Sequence, residues 1–206
     1  MERRVEQAER QAEDHGDRAA VDTGRIERAV SEILLAIGED PNREGLQDTP
    51  QRIAKAYAFL FSGLSRDPAA AIDASFHEDY AGMVVLKDIQ FFSMCEHHLL
   101  PFWGMAHVGY LPSGQIVGAS KLARVIETLA KRPQLQERLT DDAAEAIAKV
   151  IKPRGVAVVV EAEHMCIAMR GIQKPGSRMI TSAMRGLFLS DPRTRNEFMA
   201  IATGQR

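Results

Sequence analysis

Apolar residues recur along this chain at two periods, and the switch between them outlines the fold. Ile26, Ala29, Val30, Ile33, Leu34 and Ile37 follow helical spacing, and Gly38 supplies a stop. A second helix is predicted to open at Thr49-Pro50, with Thr49 as cap and Pro50 as first helical residue. Its inward face is Ile53, Ala54, Tyr57, Leu60 and Phe61. The stretch from Gly63 to Gly82 is irregular and reads as a connection. Met83–Leu86 and Ile89–Phe92 then read as strand, as does Met105–Leu111, with Pro112-Ser113-Gly114 turning into Gln115-Ile116-Val117 as a hairpin.

Helical spacing returns from about Ser120, with Leu122, Val125, Ile126 and Leu129 on one face and Pro133 beyond the end. A further helix is predicted from Thr140 as cap, with Asp141 and Asp142 in its first turn and Ala143, Ile147, Val150 and Ile151 inward. Val156–Val160 is β-branched enough for a central strand. Met179–Ala183 reads as another strand, and a short helix follows Asp191-Pro192. The order predicts an α+β fold, a mainly antiparallel sheet with helices on one face.

The 206 residues suit one large domain with an appended arm, and 45% hydrophobic residues suffice for a core without disulfides. A net charge of −2 argues against general nucleic-acid binding, so an anionic substrate needs a local basic cluster. No stretch approaches the roughly 20 apolar residues of a membrane helix. Residues 1–22 are charged throughout, lack the apolar core of a secretory signal and are expected to form a disordered arm. Two cysteines and no export signal point to the cytoplasm.

The candidate chemistry lies in Ser93-Met94-Cys95-Glu96-His97-His98 and, far downstream, in His164-Met165-Cys166. Cys95, His98 and Cys166 make three ligands for Zn²⁺, and a fourth position left open marks a catalytic rather than a structural site. Either cysteine alone is most simply a buried apolar residue, and a disulfide between them is the other plain alternative. Glu96, His97 and His164 nearby favour a polar site, since a core does not accept so many ionisable groups without partners. A second cluster comprises Ser120, Lys121, Arg124, Gln134, Gln136, Glu137 and Arg138. Ser120 and Lys121 read either as cap and surface charge or as an anion site, and Glu137 can accept two hydrogen bonds from a base such as guanine. Arg170 is a surface cation or a phosphate ligand. By spacing alone, Arg52 and Lys55 lie on a solvated helix face.

Several stretches together resemble GTP cyclohydrolase I: Cys95-Glu96-His97-His98-Leu99-Leu100-Pro101-Phe102, Gly118-Ala119-Ser120-Lys121-Leu122-Ala123-Arg124, Gln134-Leu135-Gln136-Glu137-Arg138-Leu139-Thr140 and His164-Met165-Cys166. Thr49–Lys55, Thr181–Gly186 and Thr194–Phe198 fit as well, so the likeness spans roughly residues 25–203. The resemblance implies Zn²⁺ on Cys95, His98 and Cys166, with His97 and His164 as catalytic histidines and Ser120 beside the ribose. It implies Glu137 and Gln136 at the guanine edge, and Arg52, Lys55, Lys121, Arg124 and Arg170 on the triphosphate. The implied reaction turns GTP into 7,8-dihydroneopterin triphosphate and formate, the first step of folate and pterin synthesis. The implied fold is the tunnelling fold, over 82–206, with two helices on one face of an antiparallel sheet and a helical part, 23–63, before it. The implied assembly is a homodecamer of two stacked pentamers that shares active sites between subunits. Ala119, Trp103 and Met179 depart from the usual residues without touching a metal or catalytic position. Gln173, where the family also uses Arg, lowers the charge available to phosphate.

Overall fold

The computed structural model of the chain describes residues 21–204. The expected disordered arm therefore lies almost wholly outside the described residues. At its far edge Asp22 belongs to the first helix, its carboxylate accepting from the Arg25 N–H as an N-cap. The described residues divide into two compact units, one up to residue 65 and one from residue 66.

In the first unit, α1 (Thr23–Ala36) and α2 (Thr49–Leu60) bury Val30 and Leu34 from one helix and Ala54 from the other. Gly38, at φ 87°, follows α1 as the stop that its position predicts. The cap of α2 differs from expectation: Asp48 holds that position, Thr49 is already helical, and no side chain bonds the free amides there.

The second unit is built on a five-stranded sheet of order β5-β2-β3-β6-β7. Its strands are β2 (Val84–Cys95), β3 (Pro101–Leu111), β5 (Pro133–Gln134), β6 (Gly155–His164) and β7 (Arg178–Gly186). All neighbours pair antiparallel except β5, which runs parallel to β2 at Met94 and Cys95, so the sheet is mixed. The two expected strand segments before Cys95 are one strand with a bulge between Leu86 and Ile89, where Asp88 takes φ 60°.

The expected hairpin after Leu111 does not form. Strand β4 (Gln115–Val117) pairs instead with β1 (Ser75–His77), from the stretch read as a connection, in a separate two-stranded sheet. The Val117 N–H donates to the buried Tyr110 hydroxyl, which holds β4 off the β3 ladder.

Helices α3 (Ala119–Ala130) and α4 (Gln136–Ile151) cover one face of the sheet. Leu122, Val125, Ile126 and Leu129 of α3 and Ala143, Ile147 and Ile151 of α4 meet Phe102, Val108, Val156, Val158 and Val160 there. The period of two in β6 sends Ala157 and Val159 to the opposite face. Among the described residues that face is covered at one end only, by Phe188 of α6 (Leu187–Ser190) and Phe198 of α7 (Pro192–Thr203). Gly109 permits this cover, because a β-carbon there would lie 2.6 Å from the Phe198 ring. No helix among the described residues is long and apolar enough to cross a membrane.

Helix α4 starts earlier than its pattern predicts. Thr140 is not its cap but a buried residue one turn inside, whose hydroxyl donates back to the Gln136 carbonyl at 2.7 Å. Leu135 is the extended residue before the helix, so Gln136 and Glu137 occupy the first turn. A carboxylate there meets the positive end of the helix.

Candidate active site

One end of the sheet gathers the chemistry. The β2–β3 turn, Glu96 to Leu100, folds around the Cys95 carbonyl, which accepts from the His98 and Leu99 N–H groups at 3.3 and 2.8 Å. The Cys95 N–H donates to the Leu100 carbonyl, and Leu99 closes the turn at φ 51°. The turn brings Cys95 Sγ within 3.7 Å of His98 Nδ1. From the other side, β6 ends at His164 and runs into the single helical turn α5 (Met165–Ala168), which carries Cys166. Ligand atoms of Cys95, His98 and Cys166 all lie within 4.8 Å of one another.

The donor set fits a tetrahedral metal. With metal–sulfur and metal–nitrogen bonds of about 2.3 and 2.0 Å, tetrahedral angles put sulfur and nitrogen about 3.5 Å apart. The 3.7 Å between Cys95 and His98 meets that spacing. Burial, and then the adjacent Cys95 sulfur, push the Cys166 thiol up in pKa. A cation bound between the two sulfurs would offset that cost and favour the thiolates. Cys95 is buried, Cys166 half-buried and His98 exposed, so the cluster opens outward on the imidazole side.

Around the cluster the polar side chains are paired. Glu96 takes two hydrogen bonds from Arg138, at 2.6 and 3.2 Å, tying the ligand turn to the first turn of α4. That contact, chiefly its hydrogen bond, holds the Glu96 carboxyl below its ordinary range. The Glu96 N–H donates to the Gln134 carbonyl, and the buried Gln134 amide donates to the Leu129 carbonyl. His164 is buried and stacks on Phe102 with ring centroids 4.5 Å apart and planes 2° from parallel. Burial draws its pKa down, while the charge of Glu137 opposes that shift.

The expected residues do not all converge. Cys95, His98, Cys166, His164 and Glu137 come together here, with Glu137 exposed on the first turn of α4. His97 is exposed beside His98, with ring centroids 6.1 Å apart, and Arg170 is exposed just beyond α5. On α3, Ser120 and Arg124 are exposed, and Gly118 rather than Ser120 is the cap. Lys121 pairs with Asp73, whose carboxyl that contact holds low in pKa. Arg52 and Lys55 are exposed on α2 of the other unit, with Arg52 bonded to Asp48 at 3.0 Å. Gln136 is only 1% exposed, and its amide is engaged within the protein. Sequence reasoning missed Phe102, Asp73 and Thr181 as partners, since their contacts join residues 45 or more positions apart.

A sequence model of GTP cyclohydrolase I matches residues 26–203. The chain belongs to the GTP cyclohydrolase I family. GTP cyclohydrolase 1 of Carboxydothermus hydrogenoformans is 59% identical over 182 residues, covering 88% of this chain and 95% of its own. The Bacillus subtilis enzyme of that name is 57% identical over 180 residues, covering 87% and 95%. That of Rhodopirellula baltica is 58% identical over 181 residues, covering 88% and 79%. Among solved structures, the archaeosine synthase QueF-Like in the apo form matches 53% of this chain and 97% of its own. Its TM-score of 0.44 and 20% identity are too low to carry anything about fold or function. The family match, by contrast, spans both units and every residue of the cluster.

Proposed function

We infer that this chain converts GTP and water to 7,8-dihydroneopterin triphosphate and formate, the first step of folate and pterin synthesis. The observation that carries the reading is the Cys95–His98–Cys166 cluster, two sulfurs and an imidazole within 4.8 Å of one another near a buried histidine, in a chain of this family. Zn²⁺ suits two thiolates and one imidazole, and the chemistry it supplies is Lewis acidity that draws the pKa of water toward about 7.

The chain's own residues then divide the remaining work. Glu137, exposed on the first turn of α4, accepts two hydrogen bonds from the N–H groups of the guanine edge. Lys121, Arg124 and Arg170 hold the triphosphate, and Ser120 contacts the ribose; Arg52 and Lys55 are assigned to a triphosphate by family likeness alone. Such a local cluster lets a chain of net charge −2 bind a strongly anionic substrate. Lys121 exchanges its Asp73 partner for phosphate in this reading. His164 gives a proton to N7 as the C8–N bond opens, and His97 serves as a second proton carrier. The second hydrolysis releases C8 as formate, and the opened ribose closes onto the freed amine.

The tunnelling fold and a decamer of two stacked pentamers complete the reading. The bare end of the outer sheet face supports an assembly, because Phe92 and Ile180 are 58% and 64% exposed there. Metal-replete protein incubated with GTP tests the function. Formate and the dihydropterin absorbance should rise together and stop on chelation. Bound zinc with neither product would sink the reading.

A further inference from the structure

The polar contacts of Gln136 run in one direction, and that direction fixes a proton on a neighbouring ring. Gln136 Nε2 lies 3.0 Å from the Val160 carbonyl oxygen and 2.9 Å from that of Met179. Carbonyl oxygens only accept, so the NH₂ end of the amide must face them. The Oε1 end then faces His164 Nε2 at 2.8 Å. An amide oxygen cannot donate, so the hydrogen in that bond belongs to the imidazole.

The threonines below agree with this orientation. Thr140 donates its hydroxyl hydrogen to the Gln136 carbonyl at 2.7 Å, so Thr181 Oγ1, 2.6 Å away, must donate to Thr140. That turns the lone pairs of Thr181 toward the Gln136 NH₂, 3.2 Å distant. The contacts together admit one orientation of the amide, with its two N–H hydrogens shared among three acceptors.

We propose that Gln136 is a positioning residue that holds His164 as the Nε2–H tautomer, leaving Nδ1 as the nitrogen that exchanges protons with substrate. Its part in turnover rests on the proposed function of His164, whereas the tautomer itself does not. Phe102, stacked on the ring, fixes its plane, and Gln136 fixes which edge points inward. A direct substrate contact by Gln136 does not fit, since its amide is committed at both ends and 1% of the residue is exposed.

The test is ¹⁵N magnetic resonance of full-length, metal-replete protein labelled at histidine, at about pH 8 where an ordinary imidazole is neutral. His164 is assigned by difference against His164→Asn. The wild type should show a protonated Nε2 and a lone pair on Nδ1; the opposite tautomer overturns the proposal, whether or not any variant folds. Gln136→Met should release the tautomer and lower kcat about 10- to 100-fold with KM for GTP within about twofold. Thr181→Val, which leaves both carbonyls to orient the amide, should keep the wild-type tautomer. An unchanged tautomer in Gln136→Met, or a raised KM with kcat intact, would also overturn it. Absence of GTP turnover in the wild type would refute the proposed function instead, and the spectrum would still decide the tautomer.

Discussion

The two ends of β6 are built on opposite principles. Toward Gly155, Val156 and Val158 face α3 and α4, while Ala157 on the other side meets Phe188 and Phe198, and all are buried. Toward His164, the inward side stays covered, but Glu161 and Glu163 face an open groove of about 280 Å³ with Trp103, Met105 and Arg178. Of the six buried polar residues among those described, Ser93, Gln134, Gln136, Thr140 and His164 surround this second end. Each has a hydrogen-bond partner. An apolar sandwich on both faces supplies stability at one end. At the other, satisfied polar groups hold the candidate metal cluster and a histidine in place, and their value is orientation rather than net energy.

If the ends are specialised in this way, substitutions should separate activity from stability. The largest effect is expected from Cys166→Ser. Turnover should fall by about three decades or more, ~4 kcal/mol in the barrier, with zinc content reduced. Retention of both in a kinetic and metal assay would break the comparison at its chemical end. Phe198→Ala is the mirror experiment. Removing a fully buried ring should lower stability by about 3–5 kcal/mol in denaturant unfolding, with kcat per folded molecule unchanged. Lost activity at full folding would show that the ends are coupled.

Smaller effects sharpen the same division. Glu137→Ala should lower kcat/KM for GTP about 10- to 100-fold, the worth of hydrogen bonds to a charged group, and leave zinc content unchanged. Normal kinetics would remove Glu137 from base recognition. The smallest effect concerns His107, the buried polar residue away from the site, whose Nδ1 accepts from the Asp88 N–H at 3.1 Å and pins the β2 bulge. Burial pulls its pKa below the ordinary histidine value, with Asp88 opposing. The unfolded chain therefore takes up the proton first as pH falls through that range, and stability drops with it. His107→Gln, which can still accept from Asp88 but cannot titrate, should lose less Tm than wild type between about pH 7.5 and pH 5.5. Equal losses would clear His107 of that role.

The sequence exposed the apolar stripes of α3 and α4 and the central strand because those rest on local period, and burial of Leu122, Ile126 and Ile147 follows it. It misplaced the start of α4, since Thr140-Asp141-Asp142 is as good a cap as any when read alone. Leu135 extended beside β5 and the seating of Gln136 on β6 and β7 override that local preference. The failed β3–β4 hairpin has the same origin, a partner strand 40 residues upstream that periodicity cannot see. The Cys95–His98–Cys166 cluster was legible as a candidate metal site because cysteines and histidines are few. The stack of Phe102 on His164 was not, because register between strands 62 residues apart creates it.

The most direct test of the central claim is X-ray absorption at the zinc edge of metal-replete protein. Two sulfur atoms at about 2.3 Å, one imidazole nitrogen at about 2.0–2.1 Å and one further light atom that is not imidazole are expected for an open site on Cys95, His98 and Cys166. A shell with two imidazoles, or with fewer than two sulfurs, would contradict it and make the cluster a closed structural site or no zinc site at all.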